Sequence, residues 1–194
     1  MEHNIYEIYE SILRAVFCAL LTVAAWKDGK ERRIPDRLTA ALAGFGIWRL
    51  LWKAGLWITG IWPNGGLLSG AVGGTARGAA GLAEHVFGSL GGAVFGAGIF
   101  LVILLIRPGA FGGGDVKLLA AGGIFLELER TITAFGMSIL LAGVVEGICL
   151  AAGKGNTVGR KGEEERQTAF GPFLSAGMML SCFWGEMLWK WYVG

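Results

Sequence analysis

Between Val86 and Ile106 the chain carries no Asp, Glu, Lys or Arg. A hydrocarbon core about 30 Å thick is crossed by a helix of about 20 mainly apolar residues, and this stretch meets that demand. Others come close to it. Thr131–Ala151 carries only Glu146, and Phe170–Trp189 only Glu186. Ile8–Trp26 is interrupted by Arg14, and Leu38–Trp57 holds Arg49 and Lys53 toward one end. A shorter apolar piece, Val116–Leu128, follows a glycine-rich turn. Charged residues make up 16% of the 194, well below the roughly 25% of an ordinary soluble domain. Only helices and closed barrels satisfy every backbone group in lipid, and the alternating strands of a barrel are absent. The fold class expected is therefore an all-α membrane protein, a polytopic bundle of about six transmembrane helices in one domain covering residues 1–194. The spans fall at about 8–26, 38–57, 86–106, 116–128, 131–151 and 170–189.

Six crossings place Lys27–Arg37, Arg107–Lys117 and Ala152–Thr168 on one side, with eleven Lys or Arg between them. Lys53, Arg77, Arg130 and Lys190 lie on the other. Basic loops stay in the cytoplasm, so both termini are expected outside the inner (plasma) membrane. Trp48, Trp52, Trp57, Trp62, Trp184, Trp189 and Trp191 gather near the expected outer interface, where amphipathic rings belong. The N-terminus, MEHNIYEIYE, lacks the basic start of a cleaved signal, so the first span is read as retained. Leu67–Ala83 is rich in Gly and Ala and contains Arg77; it is read as an external or re-entrant segment. Gly88, Gly92 and Gly96 recur every four residues, a pattern that lets helices approach closely.

Several chemistries are disfavoured. Cys18, Cys149 and Cys182 lie in apolar stretches and form no C-x-x-C pair, so neither a disulfide framework nor a zinc site is expected. His3 and His85 have no partner at ligand spacing. No cofactor and no metal are expected, and a net charge of +2 does not suit a nucleic-acid partner.

Acids at membrane depth are expensive and mark function by default. Asp28 closes the first span in WKDGKERRIPDRLT, where Pro35 stiffens the turn into the second. Asp115 opens the short span in RPGAFGGGDVKLL, behind glycines 112–114, which allow close backbone approach. Singly, Asp115 reads as a helix cap and Asp28 as a solvated loop carboxylate. Together they fall on the same side in the six-span scheme. From Asp115 to Arg130 a helix rises about 22 Å, less than the hydrocarbon thickness, so Asp115 sits below the surface if that helix reaches the far interface. Two carboxylates brought close do not both ionise easily, and one keeps a proton. That is the aspartic-protease arrangement, in which one carboxylate activates water and the other polarises the scissile carbonyl.

These residues resemble the prepilin peptidases, the type IV leader peptidases of the GxGD class of membrane aspartic proteases. Asp28 is followed by Ile34-Pro35 at the family spacing. Gly112-Gly113-Gly114-Asp115-Val116-Lys117-Leu118 is close to the family's G-x-G-D-V-K-L. Phe170-Gly171-Pro172-Phe173 is similar to a motif that opens the last span. The resemblance implies cleavage of a basic leader from type IV prepilin-like precursors at the cytoplasmic membrane face, with Asp28 and Asp115 as the catalytic pair. Gly112, Gly113, Gly114, Lys117 and Pro35 are expected to support them or bind substrate. Lys117 is a candidate to orient Asp115 or the substrate carbonyl.

The chain also departs from the family. Asp36 stands where the family usually has Asn. Larger members carry a zinc-binding insert with C-x-x-C pairs after the first span and also N-methylate their product; Lys27–Arg37 is too short for that insert, so methyltransferase activity is not expected. Glu163-Glu164-Glu165 reads as a solvated loop, with attraction of a basic leader as the sharper alternative. Two other classes compete: a proton-coupled transporter and a non-catalytic pilus or secretion assembly component. The first would show internal repeat symmetry, which the two halves lack.

Overall fold

The structure is a computed structural model that describes residues 2–31, 35–59, 74–108, 112–152 and 170–193. They form five hydrogen-bonded helices: α1 (Glu2–Glu31), α2 (Asp36–Thr59), α3 (Gly74–Ile106), α4 (Gly113–Ala151) and α5 (Gly171–Val193). α4 is not one straight rod. Glu127, at φ 67° and ψ 171°, leaves helical geometry and joins two helices end to end. The described chain thus contains six helical segments, and the break falls where the sequence divides 116–128 from 131–151. The protein is an all-α membrane protein.

Local chemistry sets the starts. Pro35 has no N–H to lose and precedes α2; its carbonyl accepts the Leu38 N–H at 2.9 Å. The Gly112 carbonyl accepts the Asp115 N–H at 3.1 Å, and the Phe170 carbonyl accepts the Leu174 N–H at 3.0 Å. These bonds close the first turns of α4 and α5.

Glu7–Lys30, Gly81–Ile106 and Gly113–Cys149 are long and apolar enough to cross a membrane. Large apolar side chains face outward along them, among them Val94, Leu105 and Ile106 on α3 and Leu140 and Ile148 on α4. Several polar side chains, including Arg49, Lys53, Ser138 and Ser175, are buried instead. That inversion suits lipid, which accepts alkyl groups and rejects unpaired polar ones. The glycine-rich stretch 67–83 is described only from Gly74, where it is helical and continuous with α3. Its earlier residues, Trp62, and Glu163–Glu165 lie outside the described residues.

The core joins α1, α2, α4 and α5. Phe17 stacks on Phe125 at 4.1 Å between ring centroids, and Phe45 flanks Phe125 at 5.7 Å. Leu21, Leu42, Leu118, Leu119, Leu174 and Met178 are fully buried around them. α3 packs on α4 by a different device. A Cβ added at Gly92 would collide with the Gly123 carbonyl oxygen, and one added at Gly123 with that of Gly92. At Gly96 it would stand 2.8 Å from the Leu119 oxygen. The glycine stripe read from the sequence is therefore the seam against α4. Backbones this close gain dispersion contacts that any side chain would forfeit.

Replacing Gly92 by Ala should accordingly destabilise the bundle by about 1–3 kcal/mol, the usual cost of overpacking. Gly98→Ala, where an added Cβ meets nothing within 4 Å, should leave stability unchanged or raise it by up to about 1 kcal/mol through helix propensity. Thermal unfolding of the two variants in detergent checks the difference.

Candidate active site

One end of the bundle collects the end of α1 and the starts of α2, α4 and α5. Asp28 lies in the last turn of α1 and is 6% exposed; Asp115 lies in the first turn of α4 and is 5% exposed. They are 87 positions apart in the chain, yet both border Gly171, the first residue of α5. A Cβ built on Gly171 would collide with Asp28 Oδ2 and stand 3.3 Å from Asp115 Oδ1. The two carboxylates converge on one glycine. Asp28 Oδ2 is buried and has no hydrogen-bond partner among the described residues. The Gly171 N–H donates to the Asp28 carboxyl group, so the start of α5 is both the neighbour and a partner of that acid.

Gly171 shows why a glycine stands there. Its backbone does not take a conformation reserved for glycine, so the constraint is space alone. As the first residue of α5 it also carries one of the N–H groups that no carbonyl within the helix accepts. Phe170, just before it, is buried and stands edge-on to Phe100 at 6.1 Å, which fixes the entry of α5. The sequence reading noted the Phe170–Phe173 motif but assigned Gly171 no role. The missing information was the contact with α1 and α4.

The supporting residues divide. Gly112 lies against Asp115: an added Cβ would be 3.8 Å from Asp115 Oδ2. Gly113 is exposed, with open space beside it, and Gly114 follows in the first turn of α4. Pro35 starts α2. Lys117 donates to Asp36 Oδ1 at 2.7 Å, and both side chains are largely exposed. The lysine that the sequence offered for orienting Asp115 thus pairs with the carboxylate that departs from the family pattern. Ile34 and Glu163–Glu165 fall outside the described residues, and Glu146 is half-buried on α4. Among the described residues no group of three His, Cys, Asp or Glu is placed to hold a metal ion.

A second polar cluster occupies the other end of the bundle, and sequence reasoning missed it. Arg49, 4% exposed, donates to the Phe125 carbonyl at 2.8 Å, to Glu127 Oε1 at 3.3 Å and to Glu10 Oε2 at 3.2 Å. Lys53 donates to the same Glu127 oxygen at 3.2 Å, and His85 Nδ1 lies 3.6 Å from it. A signal existed. Arg49 and Lys53 are four residues apart and share a helix face, which is unusual for an apolar span unless both meet partners.

In chemical terms the first end offers two buried carboxylates that converge on the start of α5. That set can hold a water molecule and exchange a proton with it. Gly171→Ala should cost about 1–3 kcal/mol of stability in the native background. In an Asp28→Ala background the cost should fall by more than half, because the colliding oxygen is gone. A double-mutant cycle by thermal unfolding reads this coupling.

A family model described as the type IV leader peptidase family matches residues 15–147, a stretch that includes Asp28 and Asp115. The prepilin leader peptidase/N-methyltransferase of Bacillus subtilis (strain 168) is 27% identical over 107 residues. That match takes in 55% of this chain and 40% of the relative, so the shared stretch spans well under half of that protein's length. No solved structure matches the chain.

Proposed function

The chain belongs to the type IV leader peptidase family, and from that premise we propose that it is a membrane-embedded aspartic endopeptidase acting on type IV prepilin-like precursors. The reaction is hydrolysis of the bond that joins the basic leader to the mature protein. Asp28 and Asp115 are the pair that activates water. One carboxylate, ionised, accepts a proton from the water; the other, protonated, donates a hydrogen bond to the scissile carbonyl oxygen. The proton then passes to the leaving amine, and the pair returns to its starting state.

The observation that carries this reading is the convergence of Asp28 and Asp115 on Gly171 at one end of the bundle. Neither carboxylate is near its neighbour by sequence, and each is buried. Burial of two acids at one place gives a membrane protein little stability, so a chemical role accounts for them better than a structural one. Gly112, Gly113 and Gly114 put no side chain of their own beside Asp115, which suits an extended substrate backbone lying there. Pro35 and the Lys117–Asp36 pair border the same end. Positive residues crowd the loops there, which supports a cytoplasm-facing site in the inner membrane with both termini outside.

The relative's name includes N-methyltransferase. Only the peptidase step is assigned to this chain. Lys27–Arg37 is too short to hold an inserted domain, and the three cysteines form no C-x-x-C pair.

Cleavage of a prepilin-like substrate in membranes tests the pair. Asp28→Asn and Asp115→Asn should each lower kcat by roughly 10²–10⁴-fold, the range of a lost acid–base group; near-native cleavage by either variant would sink the two-aspartate mechanism. Mass spectrometry of the mature product should show an unmodified N-terminal amine. A mass increased by one methyl group would mean that the chain carries the second activity as well.

A further inference from the structure

The cluster around Glu127 is not used by the proposed reaction, yet it joins both helices that carry the aspartates. We propose that Arg49 and Glu127, with Lys53 and Glu10, form a positioning node that fixes how deep the first half of α4 sits, and so where Asp115 stands relative to Asp28. The proposal rests on the reading of those aspartates as a working pair.

The need for such a node follows from length. Residues 113–126 rise roughly 21 Å as a helix, against a hydrocarbon core of about 30 Å. A helix that spans the core has its depth set by the match of apolar length to lipid thickness. This half-helix is too short for that. The glycine seam sets Leu119 and Leu128 against Gly96 and Gly91 of α3, but α3 does not pack on α1 among the described residues, so the seam alone is not the restraint that relates Asp115 to Asp28. The exposed Lys117–Asp36 pair at the other end is of the kind that contributes little.

The node supplies it. Glu127 breaks α4 in a left-handed conformation that a non-glycine residue keeps only when its surroundings hold it there. Arg49 is the hub of those surroundings. Its guanidinium lies over the Phe125 ring, 4.7 Å from the centroid, and donates to the Phe125 carbonyl and the Glu127 carboxylate together. Its other nitrogen reaches Glu10 on α1. Lys53, one turn along α2, holds Glu127 a second time, and Thr131 Oγ1 donates to the Glu127 carbonyl at 2.6 Å. Shifting the half-helix by one turn would take the Phe125 carbonyl and the Glu127 carboxylate away from Arg49, leaving it Glu10, and would take Glu127 from the buried Lys53, a loss that a low-dielectric interior penalises heavily. Glu10 and Asp28 lie on α1, Glu127 and Asp115 on α4. One hub therefore ties the far ends of both aspartate-bearing segments.

Two label pairs test this in lipid vesicles, in a chain with Cys18, Cys149 and Cys182 replaced by Ser. The first pair, Gly29→Cys and Gly113→Cys, flanks the aspartates; the second, Gly98→Cys and Gly136→Cys, joins α3 to the later half of α4. All four sites have open space beside the Cα. Dipolar EPR between attached spin labels should show the first distance shifted or broadened by Glu127→Gln, with the second unchanged. In the unlabelled chain the same substitution should lower kcat for prepilin cleavage, by up to the order of 10²-fold for a displacement near 1 Å, at unchanged KM. An unchanged first distance overturns the proposal, and so does a shift of both pairs, which would report general loosening. If Glu127→Gln does not fold, Arg49→Lys, which keeps the charge and loses the fork, is read by the same two distances. If the native chain cleaves no prepilin while Glu127→Gln still moves the first pair alone, the proposed reaction fails and the positioning stands.

Discussion

A helix broken inside a bilayer frees carbonyl and amide groups that lipid cannot satisfy, and α4 is broken at Glu127. The structure answers with a buried cation. Arg49 Nη1 donates to both the Phe125 carbonyl and the Glu127 carboxylate while Nη2 donates to Glu10, and a guanidinium, planar and always charged, suits that multiple task. Its own charge then needs compensation, which Glu10 and Glu127 provide. The break, the cation and the two acids form one unit, and removing Arg49 takes a partner from the Phe125 carbonyl and from both acids at once. Four of the five helices contribute to that unit or border it.

The break also separates two demands that one continuous helix would set against each other. The later half of α4 presents Leu140, Val144 and Ile148 outward, as a lipid-facing segment should. The earlier half is buried nearly all round: Leu118, Leu119, Ala121, Phe125 and Leu126 lie among α1, α2, α3 and α5. A helix hydrophobic on every side belongs in the middle of a bundle. Beginning it with Asp115 brings a carboxylate to the buried edge of that bundle.

How much of this could be read from the sequence depended on distance along the chain. Hydropathy gave the number of helical segments, because apolar runs and their interruptions are local, but not that α3 starts as early as Gly74. Asp28 and Asp115 stood out because acids near apolar spans are rare. The seam of Gly88, Gly92 and Gly96 was visible as a stripe, although its partners Gly123 and Leu119 were not. Contacts between remote positions were hidden. Nothing local says that Gly171 faces Asp28, 143 positions away, or that Lys117 pairs with Asp36. Glu127 was hidden for another reason: hydropathy reads it as one charge near the end of a span and carries no information about backbone strain. Pairing charges by eye fails too, since Glu10, Arg49, Lys53 and Glu127 allow several matches and only the packed bundle selects one.

The two ends of the bundle differ in how they treat polar groups. Around Glu127, carboxylates and cations are paired, with Arg49 Nε alone of that side chain's nitrogens left without a hydrogen bond among the described residues. Around Gly171, two carboxylates meet, neither of them in an ion pair among the described residues, and Asp28 Oδ2 lacks a hydrogen bond there. An end so arranged is under-satisfied, and under-satisfaction is tolerable only where the rest of the fold fixes the groups firmly. Rigidity at the matched end therefore permits want at the other. On the proposed reaction this contrast has a use: acceptors left unspent at Asp28 are open to a water molecule and a peptide carbonyl, whereas a carboxylate paired as fully as Glu127 is would first have to give up that pairing.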